Sequence, residues 1–371
     1  MLFHKITLQN FRNIACLELS LGEGLNIIRG ENAQGKTNLI EALWLFTGIR
    51  SFRGARESEM IRFGQQEAVI SCLFESEGRT QSARIQLGAH RGVFLNEIRS
   101  PSASALCGKL HAIVFSPSHL ALAQDGPAER RRFLDEAIGQ LYPTYQKNLN
   151  AYQKTLQQRG ALLRDMQQNP GLLELLDTWD VHLARIGAQI IRLRARYIQM
   201  LCGQAAEFYR GISGEREGLS VEYACAMQQF QPDMEIADIR EAFYDELVKT
   251  REQDIRQCST GAGPHRDEIS LLVDGKSVRL YGSQGQKRSC VLALKLAECG
   301  IIESSTGSRP VILLDDVLSE LDSGRRAYLL GCMRSHQVLI TCCEEDPLID
   351  RENAKTFIIE NGRIAGEAIS L

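Results

Sequence analysis

The chain has 371 residues, 44% hydrophobic and 24% charged, with a net charge of −3. That profile is of a soluble globular protein with a sizeable core, and it excludes a disordered chain. No run approaches the roughly 18 apolar residues of a membrane span, and the charged, alternating start MLFHKITLQNFRN is unlike a secretory leader, so membrane roles are set aside and a cytoplasmic location is expected.

In chain order, short strands come first: Phe3 to Leu8, Ala15 to Leu19, and Leu25 to Arg29, which ends at Gly30. Residues 38–47 follow a helical apolar pattern. Strands with turn punctuation return between Glu67 and Arg99, and Ala112 to Phe115 is a further apolar strand. From Ala128 to Ile212 long helices are expected. Leu149, Tyr152, Leu156, Leu163 and Met166 form one seam, and Leu183, Ile186, Ile190, Leu193, Tyr197 and Leu201 form another. Asn169-Pro170-Gly171 breaks the helix between them, which predicts an antiparallel helical hairpin around 145–205. A hairpin is then expected from Ile269 to Leu280, followed by apolar strands Val311 to Leu314 and Val338 to Thr341. Phe357 to Ala365 closes the chain as a hairpin around Asn361-Gly362.

The 11 cysteines include no C-x-x-C pair and the His residues lack ligand spacing, so reduced thiols are expected and a side-chain-only metal site is not. The 43 basic residues against 46 acidic ones argue against bulk attraction to nucleic acid, yet 33 of the 43 are arginine. Arg50, Arg53 and Arg56, then Arg130 to Arg132, then Arg192, Arg194 and Arg196 form clusters that suit phosphate contacts or solvated faces equally.

Gly30-Glu31-Asn32-Ala33-Gln34-Gly35-Lys36-Thr37 matches G-x-x-x-x-G-K-[ST] between a strand and a helix. The glycines let backbone N–H groups turn inward on phosphate oxygens, at the positive end of a helix dipole. Lys36 would reach the β- and γ-phosphates of ATP and Thr37 would hold Mg²⁺. The apolar strand 311–314 ends in Asp315 and Asp316: the first is a Mg²⁺ carboxylate and the second a general base for the attacking water. Thr37 and Asp315 lie 278 residues apart, so a large insert separates the halves of the site.

A polar loop, Tyr281-Gly282-Ser283-Gln284-Gly285-Gln286, opens a further helix, a second anion site in the making. Ser319-Glu320-Leu321-Asp322 follows the acidic pair. In this order the four motifs resemble the ABC-type ATPases, in the branch of SMC proteins and the RecF family. Phe11-Arg12-Asn13, the 126–135 stretch with Arg130-Arg131-Arg132-Phe133-Leu134-Asp135, and Gly263-Pro264-His265-Arg266-Asp267 extend the resemblance to the RecF family along essentially the whole chain.

The resemblance implies an α/β fold: an ABC-type P-loop ATPase head (1–125 with 255–371) and an inserted helical lobe (126–254). It implies ATP and Mg²⁺ as cofactors, with Arg12 and Asn13 near the nucleotide. Ser283, Gly285 and Gln286 would reach the γ-phosphate held by a second subunit, and Asp322 would border it. Lys36, Asp316 and Ser283 would be catalytic. It further implies an ATP-dependent homodimer on duplex or gapped DNA, RecR- and RecO-type mediators, recombinase loading within the damage (SOS) response, and a weak DNA-dependent ATPase acting as a switch. Transporter ATPases carry a γ-phosphate-sensing His after the strand that ends at Thr341. Here Thr341, Cys342 and Cys343 stand there, so any such contact is expected from Thr341. The alternatives are an SMC-like ATPase of another repair or defence pathway, or a P-loop phosphotransferase, which would leave Ser283 to Gln286 unexplained.

Overall fold

The computed structural model describes residues 1–100, 102–167, 169–343 and 354–369. In chain order the elements are β1 (Leu2–Phe11), β2 (Ile14–Ser20), β3 (Leu25–Arg29), α1 (Lys36–Leu45), α2 (Glu57–Met60), β4 (Glu67–Ser76), β5 (Arg79–Gly88), β6 (Gly92–Leu95), β7 (Ile98–Ser100) and β8 (Ala112–Phe115). Then come α3 (Ala121–Gln124), α4 (Pro127–Leu141), α5 (Pro143–Asp165), α6 (Leu173–Ser213), β9 (Leu219–Ala224), α7 (Ile236–Gln257), β10 (Glu268–Val273), β11 (Lys276–Ser277), α8 (Val278–Tyr281) and α9 (Gln284–Thr306). The chain closes with β12 (Val311–Asp315), α10 (Ser323–Cys332), β13 (Val338–Cys342), β14 (Lys355–Glu360) and β15 (Arg363–Ile369).

Three sheets organise these elements. β2-β1-β4-β5-β6-β7 is antiparallel, and β15-β14-β3-β13-β12-β8 is parallel except for β15 at its edge. β8, β12 and β13 are near-continuous apolar runs because both faces are covered. β3, from the chain start, lies between β13 and β14 from the chain end, so the two termini build one sheet. α1 packs between the two large sheets through Leu39, Ile40, Leu43 and Trp44, all at most 1% exposed.

α5 and α6 run antiparallel, pinned by Arg159 with Asp180 at 2.7 Å and Asn148 with Gln189 at 2.6 Å. Arg159 also bonds Asp254 on α7 at 2.7 Å and Thr260 at 2.8 Å. Tyr142-Pro143 ends α4 and starts α5: proline suits the first helical turn, where its missing N–H costs nothing.

Two expectations need correction. The second strand of the 269–280 hairpin is only Lys276–Ser277, and Val278 onward is helical. Val278 turns into the core while Leu280 and Tyr281 stay exposed, a helical rather than an alternating pattern. The segment 126–254 is also not purely helical: β9 pairs with β10 in the third sheet, β11-β10-β9. That sheet and α9 share one core with α4 to α7, so packing does not divide at 254/255.

His111 is buried, and burial, partly offset by the Gln140 backbone, lowers its pKa to about 4. The unfolded chain therefore binds the extra proton between pH 6.5 and 4, and folding loses stability as pH falls through that window. A His111→Leu comparison cancels the other groups. Wild type is expected to lose roughly 2 kcal/mol more than the variant between pH 7.5 and 5 in urea unfolding; parallel losses would show that His111 is not the cause.

Candidate nucleotide-binding site

The turn from β3 into α1 is shaped by residues that tolerate left-handed backbone. Gly30 has φ 156°, Ala33 65° and Gly35 114°. A Cβ on Gly30 would meet the Ile359 carbonyl at 2.3 Å, and one on Gly35 would meet Asn13 Oδ1 at 2.9 Å. Both glycines are therefore obligatory on space as well as on conformation.

Neighbouring elements hold the loop from outside. Asn13 Nδ2 donates to Ala33 O at 3.0 Å and Asn13 Oδ1 accepts from Asn38 at 2.8 Å. The β14–β15 turn approaches from the other end of the chain: Gly362 N–H donates to Gln34 O at 3.0 Å, and Asn361 N–H to Gln34 Oε1 at 2.5 Å. Inside the loop, Lys36 Nζ donates to the carbonyls of Gly30 at 2.5 Å and Glu31 at 3.0 Å, and to Cys343 Sγ at 3.2 Å.

Thr37 and Asp315 meet despite their sequence separation: the threonine hydroxyl donates to Asp315 Oδ1 at 2.9 Å. Burial raises the Asp315 pKa, and the neighbouring Asp316 charge adds to the rise. A hydroxyl and a buried carboxylate together form a hard-oxygen pair that suits Mg²⁺, whose remaining ligands are ordinarily water and phosphate. Among the described residues no cluster of three His, Cys, Asp or Glu could hold a metal ion. Bound there, Mg²⁺ would neutralise phosphate charge.

Thr341 lies beneath the acidic pair. It is 3% exposed, accepts the Asp316 N–H at 2.9 Å and donates to Asp315 Oδ1 at 3.2 Å. Its hydroxyl thus holds the Asp315 carboxylate and the Asp316 backbone, with Asp316 at φ 54°. Cys343 touches the loop instead, through Lys36 and through Asn32 Oδ1 at 3.1 Å. Sequence reading missed Cys343, because its role depends on β13 lying beside β3.

Arg12 is directed to Glu41 on α1, not to the loop: its Nε and Nη2 reach the carboxylate at 3.0 and 2.9 Å, and Nη1 reaches Glu59 O at 2.8 Å. Beside it a groove of about 650 Å³ is lined by Arg12, Asn13, Asn38, Arg53 and Phe63. Asn13, which lines it, also braces the loop at Ala33 O.

The second motif is assembled elsewhere. Ser283 caps α9: its Oγ accepts Gln286 N–H at 3.2 Å and its N–H donates to Gln286 Oε1 at 2.8 Å. Gln286 Nε2 continues to Glu217 at 2.9 Å. Asp322 caps α10 by accepting Arg325 N–H at 3.0 Å, and that bond lowers its pKa. Arg325 bonds Ser289 at 2.9 Å and lies against Gly285, so Ser283, Gly285, Gln286 and Asp322 form one cluster. Among the described residues no hydrogen bond joins that cluster to the phosphate loop.

The arginine clusters divide. Arg130 is buried in a two-point pair with Glu268 at 2.8 and 2.9 Å, and Arg194 is buried between Asp135 at 2.8 Å and Asp267 at 2.9 Å. Arg192 bonds Pro232 O at 3.0 Å. Arg50, Arg56, Arg131 and Arg132, with Arg91 and an edge of Arg194, line one cleft of about 850 Å³ between the antiparallel sheet and α4–α5, whose wall also carries Glu57, Asp135 and Glu136.

A phosphate loop on α1, an acidic pair ending β12 and a capped polar motif opening α9 define an ATPase head of the ABC and SMC class. The family model of the RecF/RecN/SMC N-terminal domain matches residues 2–364. The chain belongs to the RecF family. It is 40% identical over 368 residues to the DNA replication and repair protein RecF of Agathobacter rectalis, covering 98% of this chain and 99% of that one. It is 35% identical over 369 residues to RecF of Bacillus cereus strain G9842, covering 98% of each. A solved recombination mediator protein RecF with ATP, of the RecFOR pathway, is 33% identical with a TM-score of 0.91, over 99% of this chain and 97% of that one. The Smc head of Pyrococcus furiosus, at 14% identity and a TM-score of 0.56 over 99% of this chain and 96% of that one, shares the fold.

Proposed function

We propose that this protein is an ATP-dependent DNA-binding protein of recombinational repair and replication restart. Its ATP-bound homodimer clamps duplex DNA beside single-strand gaps, and slow hydrolysis releases it. The carrying observation is the separation of two finished half-sites. Thr37, Asp315 and Asp316 share one network through Thr341, beside the loop that Lys36 holds, while Ser283, Gly285, Gln286 and Asp322 cluster around Arg325. Each half needs its complement from a second copy, so two nucleotides would be held between two chains. The γ-phosphate would then be the shared anion, and its loss would weaken the dimer.

Similarity to a recombination mediator protein RecF of the RecFOR pathway supports RecR- and RecO-type mediators as partners, and recombinase loading is the outcome we propose for them. No helix among the described residues is long and apolar enough to cross a membrane. The arginine-rimmed cleft supports contact with a phosphate backbone, which is sequence-independent and weakened by salt.

Sedimentation with and without ATP and gapped duplex tests the reading. A dimer only with ATP, and a DNA complex only of that dimer, are expected; a monomer under every condition refutes it. Replacing Arg50 and Arg56 together by Glu is expected to leave the ATP dimer intact. DNA affinity should fall, and the slope of log affinity against log salt should become shallower by about two. An unchanged slope would place the DNA elsewhere.

A further inference from the structure

The segment between α1 and α2 is a wall shared by two sites. Arg50, Ser51, Gly54 and Arg56 line the arginine-rimmed cleft, whereas Arg53 faces the groove beside the phosphate loop. Under this wall lies Glu41, fully buried, one helical turn beyond Thr37. Its carboxylate is gripped from both sides. Arg12 binds it at 2.9 and 3.0 Å and Arg53 at 3.4 Å from the nucleotide side, and the Ser51 hydroxyl donates to it from the cleft side. Ser51 Oγ also accepts the Arg53 N–H at 3.2 Å, so one hydroxyl sets the turn of the wall. Arg53 continues to Asn38 Oδ1 at 2.9 Å, Asn38 to Asn13 at 2.8 Å, and Asn13 to the loop carbonyl of Ala33 at 3.0 Å.

We infer that Glu41 and Ser51 are positioning residues that couple occupancy of the cleft by a phosphate backbone to the geometry of the phosphate loop. The inference rests on the DNA-dependent ATPase reading above and names its internal link. A buried carboxylate must keep its partners, because an unpaired one is strongly destabilising. Arg53 is the longest of its ion-pair contacts and is 41% exposed, so it is the partner that yields. A polyanion drawing Arg50 and Arg56 outward pulls on the wall. The Ser51–Glu41 bond passes that pull to α1, and Arg53 releases Asn38 and with it the Asn13 brace on the loop. Arg12 holds Glu41 throughout, so α1 stays folded while the loop changes.

Ser51→Ala tests this, since Ser51 stands at the cleft wall but is 4% exposed and its hydroxyl is turned inward to Glu41 and the Arg53 N–H. ATP hydrolysis is measured with and without gapped duplex, beside DNA affinity at fixed salt. The ratio of stimulated to basal rate is expected to fall at least about fivefold, with basal rate and DNA affinity within about twofold of wild type. Ser51→Thr, which keeps the hydroxyl, is expected to restore the ratio. Stimulation of Ser51→Ala equal to wild type overturns the inference, and so does a parallel fall of basal rate and DNA affinity, which would mark a merely structural bond. If Ser51→Ala does not fold, Glu41→Asp, which keeps the charge but shortens its reach, decides by the same ratio. A wild-type protein that DNA does not stimulate refutes the DNA-dependent reading itself, and the coupling with it.

Discussion

Lys36→Met protein is expected to stay monomeric when ATP and Mg²⁺ are added. The Lys36 ammonium is 6% exposed and satisfied by the carbonyls of Gly30 and Glu31. The methionine side chain fills similar space without the charge, and the loop keeps its braces from Asn13, Asn361 and Gly362. The fold therefore survives and the phosphate contact does not. Hydrogen bonds to charged groups are each worth about 1.5–3 kcal/mol, so the loss of about 3 kcal/mol weakens ATP on the order of 100-fold. Equilibrium binding of a fluorescent ATP analogue and sedimentation measure the two effects. Full dimer formation by a variant with the far-ultraviolet spectrum of wild type would contradict both the role of Lys36 and the ATP-bridged dimer.

Asp316→Asn is the complementary case, because it spares binding and removes the base. Asp316 N–H is anchored on Thr341 Oγ1 at 2.9 Å and its backbone sits at φ 54°, a region asparagine also tolerates. The side chain keeps its place and loses its ability to take a proton. Phosphate release is expected to fall about 10²- to 10⁴-fold, the usual span of general-base catalysis. ATP affinity stays near wild type, and the ATP dimer persists for longer. Asp315→Asn is distinguished from it by cation dependence. It removes the carboxylate beside Thr37, so ATP binding should cease to respond to Mg²⁺. Equal hydrolysis rates for Asp316→Asn and wild type would assign the base elsewhere.

The phosphate loop, the apolar strand with its two aspartates and the Ser283 cap were readable in the chain because each is a short-range pattern with a local cause. Gly30 and Gly35 stand where left-handed backbone is required, and Ser283 with Gln286 is a capping box at fixed spacing. The helical hairpin was readable for the same reason, through its seams and the Asn169-Pro170-Gly171 break. β9 was not: six residues between two long helices take their strand form from β10, over forty residues downstream.

Sequence by itself determined the chemistry available to this protein: a lysine, a hydroxyl and two carboxylates for a magnesium nucleotide, and a polar helix start for a second phosphate contact. Tertiary structure decided which groups are free to perform it. Arg130 and Arg194 look like their neighbours in the chain, yet both are buried and held by carboxylates, while Arg50 and Arg56 reach the cleft without an ion pair among the described residues. Thr341 is bonded to Asp315 and to the Asp316 backbone, and it is Cys343 that touches Lys36 of the loop. The physical reason is common to these cases. A charge or a hydroxyl is defined for function by what it is already bonded to, and those bonds run between residues that only the folded chain brings together.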